Sequence, residues 1–244
     1  MKEYYSFLLK RFRVEKEDSF GIIKHLAGEG SLVVDIGANI GIFTKMLSSL
    51  VGDKGMVYSI EPVPIIYNVL YSNIKRLSLR NVEAINCALW DSEGDAFMAI
   101  PDSGFGIKDY YRANILDDSR CSKHSSNKLM VHRKTLDSLL TDNPVVSFIK
   151  CDTEGSERRC VLGALNIIEK MRPAWMIEVT GSDPYKDTGN NIFDLMFGYG
   201  YRAYHLREGR LKETDSSELC INNRDIFFLT PSHRTLLEKQ GIIF

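Results

Sequence analysis

The chain of 244 residues is 44% hydrophobic and 26% charged, enough apolar material for one large globular domain and outside the compositional range of disorder. Its 31 basic and 32 acidic residues leave a formal charge of -1, a balance that argues against electrostatic attachment to nucleic acid or to anionic lipid. Cys87, Cys121, Cys151, Cys160 and Cys220 form no C-x-x-C pair and read as free thiols in a reducing compartment. No run approaches the ~18 apolar residues of a membrane span, and the charged N-terminus lacks an apolar signal core. The expectation is a soluble cytoplasmic protein.

Residues 1–30 read as a helical lead-in, with Phe7, Leu8, Phe12, Phe20, Ile22, Ile23 and Leu26 at helical spacing before Gly28 and Gly30. Strand and helix patterns then alternate: a strand over 32–35, a helix over 40–50, a strand over 56–60, a helix over 63–77 and a strand over 82–89. Residues 101–128 (PDSGFGIKDYYRANILDDSRCSKHSSNK) interrupt the rhythm between strand patterns at 96–100 and 129–133. A polar loop of that length in a compact domain is either functional or disordered. Alternation resumes with a strand over 145–152, a helix over 156–170, a strand over 174–179 and a helix over 192–197. The last two strand patterns, 201–206 and 225–229, are joined by a charged segment too short for a crossover helix, which predicts an antiparallel pair. The layout predicts an α/β, Rossmann-like domain over residues 31–244: a mostly parallel seven-stranded sheet with an antiparallel C-terminal strand and helices on both faces.

Residues 31–43, SLVVDIGANIGIF, run from a strand through a glycine-flanked loop into a helix. A dinucleotide loop of the G-x-G-x-x-G type needs its second glycine for the approach of a pyrophosphate and its third for close helix packing. Gly37 and Gly41 are present, but Asn39 and Ile42 stand at those two places. A P-loop is excluded, because no G-K-[ST] follows. In open parallel sheets the ligand lies beyond the carboxyl ends of the strands, which directs attention to Asp35, Glu61 and Ala88. Glu61 ends a strand 20 residues after Gly41, the spacing at which an acid reaches ribose hydroxyls. Asp35 would repel a pyrophosphate and favour an ammonium. S-adenosylmethionine has the ribose, a cationic amino-acid portion and no phosphate, so it matches each departure from the dinucleotide pattern. The sheet layout is also that of class I methyltransferases using this cofactor.

A second acidic group lies in FIKCDTEGSE, where Lys150, Asp152 and Glu154 alternate toward one face and Ile149 and Cys151 toward the other. Thr153, Ser156 and Glu157 also resemble a helix start. Two uses fit the carboxylates. Lys150, Asp152 or Glu154 would serve as general base for an acceptor hydroxyl; alternatively Asp152 and Glu178, at the ends of adjacent strands, would share a divalent metal such as Mg. The residues are equally compatible with both. The run 182–185, SDPY, is near the N/D/S-P-P-Y loop of amino-group methyltransferases, but it has one proline and follows the fifth strand instead of the fourth, so it reads as a proline turn. His25, His124, His132, His205 and His233 carry no partner motif.

Taken in order, VVDIGANIG, IEPVP, INCALWDSEG, TLDSLL, FIKCDTEGSE and WMIEV resemble the FkbM family of methyltransferases over roughly residues 31–229. The resemblance implies a class I methyltransferase fold, S-adenosylmethionine as donor, and usually O-methylation of sugars or of secondary metabolites. It implies Asp35, Gly37, Asn39, Gly41 and Glu61 as cofactor residues, joined by Ala88 at the third strand end, and places the signature K-x-D-x-E-G-x-E on Lys150, Asp152, Glu154, Gly155 and Glu157. Many members have a histidine after the I-E pair of the fifth strand; this chain has Thr180 two residues after Glu178. Residues 101–128 read as an acceptor-side insert, with Tyr110, Tyr111 and Arg112 to stack on and hydrogen-bond a sugar. The expectation is an O-methyltransferase acting on a small-molecule hydroxyl, a saccharide or secondary metabolite. Its rivals are an N-methyltransferase on a related metabolite, a cofactor-binding protein without turnover in a biosynthetic assembly, and a nicotinamide oxidoreductase, against which Asn39 argues.

Overall fold

The computed structural model describes residues 19–100, 114–115, 128–141, 145–179, 192–215 and 224–244. The expectations for Phe7, Leu8, Phe12, Tyr110, Tyr111, Arg112, Thr180 and the SDPY run fall outside these residues.

Helix α1 (Phe20–Leu26) precedes β1 (Leu32–Ile36), α2 (Ile42–Val51), β2 (Met56–Ile60), α3 (Pro64–Arg76) and β3 (Val82–Ile85). Four short strands follow: β4 (Ala88–Leu89), β5 (Gly94–Ala99), β6 (Asn114–Ile115) and β7 (Lys128–Lys134). After α4 (Leu136–Leu139) come β8 (Val146–Cys151), α5 (Glu157–Leu162), α6 (Leu165–Met171), β9 (Ala174–Val179) and α7 (Ile192–Gly198). The chain ends in β10 (Arg202–Arg207), β11 (Arg210–Thr214), β12 (Arg224–Leu229) and α8 (Pro231–Lys239).

Among the described residues the main sheet has eight strands in the order β11-β10-β12-β9-β8-β1-β2-β3, one more than the seven expected. The extra strand, β11, lies in the charged segment between the last two predicted strands. The turn at Glu208 and Gly209, both at positive φ, folds that segment into a hairpin on β10. The β1-β2, β2-β3, β1-β8 and β8-β9 ladders are parallel, and β12 lies antiparallel between β9 and β10. Two further boundaries differ from the sequence reading. The strand expected over 82–89 breaks at Asn86, where the chain leaves the main sheet for a second one of order β4-β7-β5-β6. The helix expected over 156–170 divides at Gly163, where a Cβ would fall 2.0 Å from the Trp90 carbonyl oxygen; only glycine lets that turn pack.

Alternation along the strands feeds two cores. Val34, Ile36, Ile149, Cys151 and Ile177 pack with Cys160, Ile168, Phe193 and Met196 from α5, α6 and α7. Val33, Val57, Phe148 and Met176 pack with Ile22, Met46, Leu47 and Leu237 from α1, α2 and α8. Helix α1 thus contributes Ile22, Ile23 and Leu26 to the second of these cores. No helix among the described residues is long and apolar enough to cross a membrane.

Candidate functional site

Parallel register puts Ser59 of β2, Asp35 of β1 and Lys150 of β8 side by side in one row across three strands. All three lie on the α2 face and are buried. Burying two charges in the middle of a sheet is costly unless they satisfy one another, and the row is arranged to do so. Ser59 donates to Thr44 Oγ1 at 3.0 Å, and Thr44, in the first turn of α2, donates to Asp35 Oδ2 at 2.7 Å. Asp35 Oδ1 accepts no hydrogen bond and sits 3.8 Å from Lys150 Nζ. Lys150 in turn donates to Asp152 Oδ2 at 3.1 Å and to the Gly37 carbonyl at 3.4 Å, and lies 5.1 Å from the centre of the Phe43 ring. Burial disfavours its charge, but Asp35 and Asp152 outweigh burial and move its pKa up. Burial pushes the Asp35 carboxyl up, against the pull of Lys150 and Thr44.

Lys150 is thus paired with a carboxylate on either side, Asp35 and Asp152. Asp35 does not line the cleft; the ammonium it faces belongs to the chain's own Lys150.

The loop after β1 is fixed from both sides. Gly37 and Ala38 donate to the Ile60 carbonyl, each at 3.0 Å, and Asp152 donates to the Ile36 carbonyl at 3.1 Å. Gly37 is at φ +73 and a Cβ there would lie 1.8 Å from the Asp152 carbonyl oxygen, so the loop admits no side chain at that place. Asn39 takes a left-handed conformation at φ 51, and its Oδ1 accepts from the Ile40 amide at 2.7 Å. Gly41 is also left-handed and lies behind the loop against Leu70; it shapes the turn without facing the cleft.

A cleft of about 400 Å³ opens over the ends of β1, β2, β4 and β8. Gly37, Asn39, Glu61, Ala88, Lys150, Asp152 and Glu154 line it, which brings together seven of the residues singled out from the sequence. At one end Glu61 accepts from the Asn39 amide at 3.0 Å and the Val63 amide at 2.8 Å. Desolvation raises its carboxyl to about 7 against the opposing effect of those two amides. Cys87 also faces the cleft, and burial raises its thiol to about 11, which removes it as a nucleophile at neutral pH.

At the other end, Asp152 and Glu154 lie beyond the last residue of β8, so strand alternation does not place them. Glu154 takes φ 57 and Gly155 φ 105, and this left-handed turn carries the side chain back over the cleft. Glu157 accepts from the Thr153 and Gly155 amides at 2.9 and 3.0 Å, the helix-start role. Carboxylate oxygens of Asp152, Glu154 and Glu178 come within 4.8 Å of one another. Desolvation first, then Asp152, Glu154 and Asp225, raise the Glu178 carboxyl to about 8. Met98, Ile115, Phe43 and Ser156 also line the cleft. Sequence reasoning missed all four; for Met98 and Ile115 no local signal existed, because a separate sheet delivers them.

Residues 35–203 match the Methyltransferase FkbM domain, and the chain belongs to the FkbM family of S-adenosylmethionine-dependent methyltransferases. A methyltransferase FkbM structure from Methylobacillus flagellatus superposes with a TM-score of 0.51 at 18% identity, over 83% of this chain and 44% of that one. An rRNA methylase from Streptococcus thermophilus superposes with a TM-score of 0.50 at 12% identity, over 87% and 93% of the two chains. These likenesses are of fold, the class I methyltransferase-like mixed α/β sheet. A protein-L-isoaspartate O-methyltransferase of Methanothrix thermoacetophila is 35% identical over 57 residues, which are 23% of this chain and 27% of that protein. The chain thus spans less than half the length of the Methylobacillus protein, and a shorter part still of the Methanothrix one.

Proposed function

We propose that the chain transfers a methyl group from S-adenosylmethionine to a hydroxyl of a small molecule, of the saccharide or secondary-metabolite class. The observation that carries this reading is the order of groups along the cleft. A buried carboxylate, Glu61, lies at one end, a glycine turn without room for a side chain in the middle, and a cluster of carboxylates at the other. The residues present fit the donor: Glu61 would accept from its ribose, while the acidic surroundings of Gly37 and Asp152 suit its two positive charges and disfavour a pyrophosphate. The family resemblance supports a sugar or metabolite acceptor and the function of 31–244 as the methyltransferase domain, with the insert 101–128, apart from the short strand β6 within it, on the acceptor side.

When bound, the donor supplies a methyl group on a sulfonium, so the chain forms no covalent intermediate. Its residues orient the reactants and remove a proton. Gly37 and Asn39 hold the middle of the donor, and Lys150 fixes the Asp152 carboxylate by a charge-assisted hydrogen bond. Asp152 takes the proton of the acceptor hydroxyl, with Glu154 accepting from a neighbouring hydroxyl to orient it. A second reading has one observation in its favour: Asp152, Glu154 and Glu178 offer three oxygen ligands for a divalent cation such as Mg, which would supply Lewis-acid activation of the hydroxyl.

Calorimetric titration with S-adenosylmethionine and with NAD tests the donor, followed by turnover with a panel of hydroxylated saccharides with and without EDTA. Donor binding without NAD binding, and turnover that survives EDTA, is the expected result. Loss in EDTA restored by magnesium would favour the metal reading. Turnover of amines that Asp152→Asn leaves intact would make the chain an N-methyltransferase, and donor binding without turnover on any acceptor would make it a binding partner.

A further inference from the structure

The order of the strands fixes the order of the ligand. Glu61 follows β2 and Asp152 follows β8, with β1 between them, so their backbones are about 10 Å apart across two strand spacings. In the donor the ribose stands between the adenine and the sulfonium. A ribose on Glu61 with its sulfonium toward Asp152 therefore throws the adenine to the far side of Glu61, away from the acidic end.

The second sheet is tied to the chain segment at Glu61. Its first strand, β4, begins two residues after β3 leaves the main sheet, and Asn86 in this turn donates to the Glu61 carbonyl at 2.8 Å and the Pro62 carbonyl at 3.1 Å. The sheet is thus fastened to the loop that carries Glu61. Strand β5 alternates, with Asp95 and Phe97 outward and Ala96 and Met98 inward. Met98 packs with Ile40, Val63, Ile66 and Ala88, and it pairs across the ladder with Ile115 of β6. These same six residues line the cleft, and Val63 and Ile66 stand just after Glu61 in the chain. All are apolar, and none is aromatic; the one ring in the lining, Phe43, lies beside Lys150 toward the acidic end. A flat, polarisable base fits a slot of this kind, where a thioether gives a favourable contact to its face. A hydroxylated acceptor does not.

We propose that Met98 and Ile115 form the wall against which the adenine of the donor packs, which makes the second sheet part of the cofactor site rather than of the acceptor site. This rests on the S-adenosylmethionine reading and assigns the residues that hold the base.

The test is calorimetric binding of S-adenosylhomocysteine and of adenosine to the full chain and to three variants. Met98→Ala weakens both ligands about tenfold, the upper range for loss of a sulfur-to-ring contact. Met98→Trp fills the slot and removes binding while the protein unfolds as cooperatively as the wild type; should that variant not fold, Met98→Leu, which keeps the volume, retains affinity within about threefold. Val131→Ala, on the inner face of the same sheet but outside the cleft, leaves both affinities unchanged. The proposal is overturned if Met98→Ala binds both ligands as the wild type does and raises the acceptor KM instead, or if Val131→Ala loses as much affinity as Met98→Ala. A wild-type protein that binds neither ligand would overturn the donor assignment itself, a result distinct from either.

Discussion

The two ends of the cleft handle buried negative charge in opposite ways. Glu61 is a single carboxylate in apolar surroundings, and backbone amides of Asn39 and Val63 occupy one lone pair on each of its oxygens. Its position is set by main chain, and what remains is a pair of outward-facing acceptors for neutral donors. At the other end Asp152, Glu154 and Glu178 crowd together, and the buried cation beside them, Lys150, is itself shared with Asp35. That end carries more negative charge than it can neutralise, so it draws positive charge from outside: a proton, a cation or the positive groups of a donor. The contrast separates recognition from chemistry. One end is pre-organised to receive hydrogen bonds, and the other is poised to take up charge.

The largest expected effect lies at the acidic end. Asp152→Asn keeps the shape and removes the base, and should lower kcat by about 10² to 10⁴-fold while donor affinity falls far less, because Glu154 and Glu178 still face the donor's positive charges; rapid-quench turnover beside calorimetry separates the two. A comparable loss in donor affinity would mean that the ends are not divided in this way. Next comes the buried pair behind the cleft. Lys150→Met leaves Asp35 without its cation and should destabilise by roughly 3–5 kcal/mol in chemical denaturation. Asp35→Leu combined with Lys150→Met replaces the pair by apolar groups and should recover most of that loss. If the double variant is as unstable as the single one, the row is held by something other than charge pairing. At the other end, Glu61→Ala should weaken donor binding about 10 to 100-fold, the range for hydrogen bonds to a charged group, with little change in kcat at saturating donor.

Much of this division was legible in the sequence, and the parts that were not share a physical cause. The alternation of strands and helices, the loop at 35–41 and the acid at Glu61 are local signals: each depends on residues adjacent in the chain, and the fold places Gly37, Asn39 and Glu61 together as their spacing implies. Lys150 looked like a base because sequence shows a lysine beside two acids. Only the register of β1 against β8 shows that Asp35 lies on its other side as a second partner for the ammonium. Glu154 was grouped with Asp152 through strand alternation, yet a left-handed turn brings it there. The second sheet was invisible for the same reason. Met98 and Ile115 reach the cleft through pairings between segments separated by a long insert, and no periodicity within either segment announces them.

The smallest effect is the sharpest probe of the nucleoside end. Desolvation raises Glu61 to about 7 from its ordinary value of 4.5. In the ligand-free fold the carboxyl therefore holds its proton between those values more tightly than the unfolded chain does. The sign follows from linkage: Glu61 makes stability fall as pH rises from about 4.5 to about 7, with no further change above. A donor whose ribose gives hydrogen bonds to the carboxylate binds the deprotonated form, so it must displace that proton below pH 7. Its affinity should rise nearly tenfold per pH unit up to about 7 and then level off. Titrations in buffers of different ionisation enthalpy should show close to one proton released at pH 6 and almost none at pH 8.5. The acidic end also contains a carboxyl raised to about 8, that of Glu178, and an inflection there would mean that donor binding is sensed by the acids. A single inflection near 7 that vanishes in Glu61→Gln would place the titrating group at the ribose and leave the acidic end to the methyl transfer.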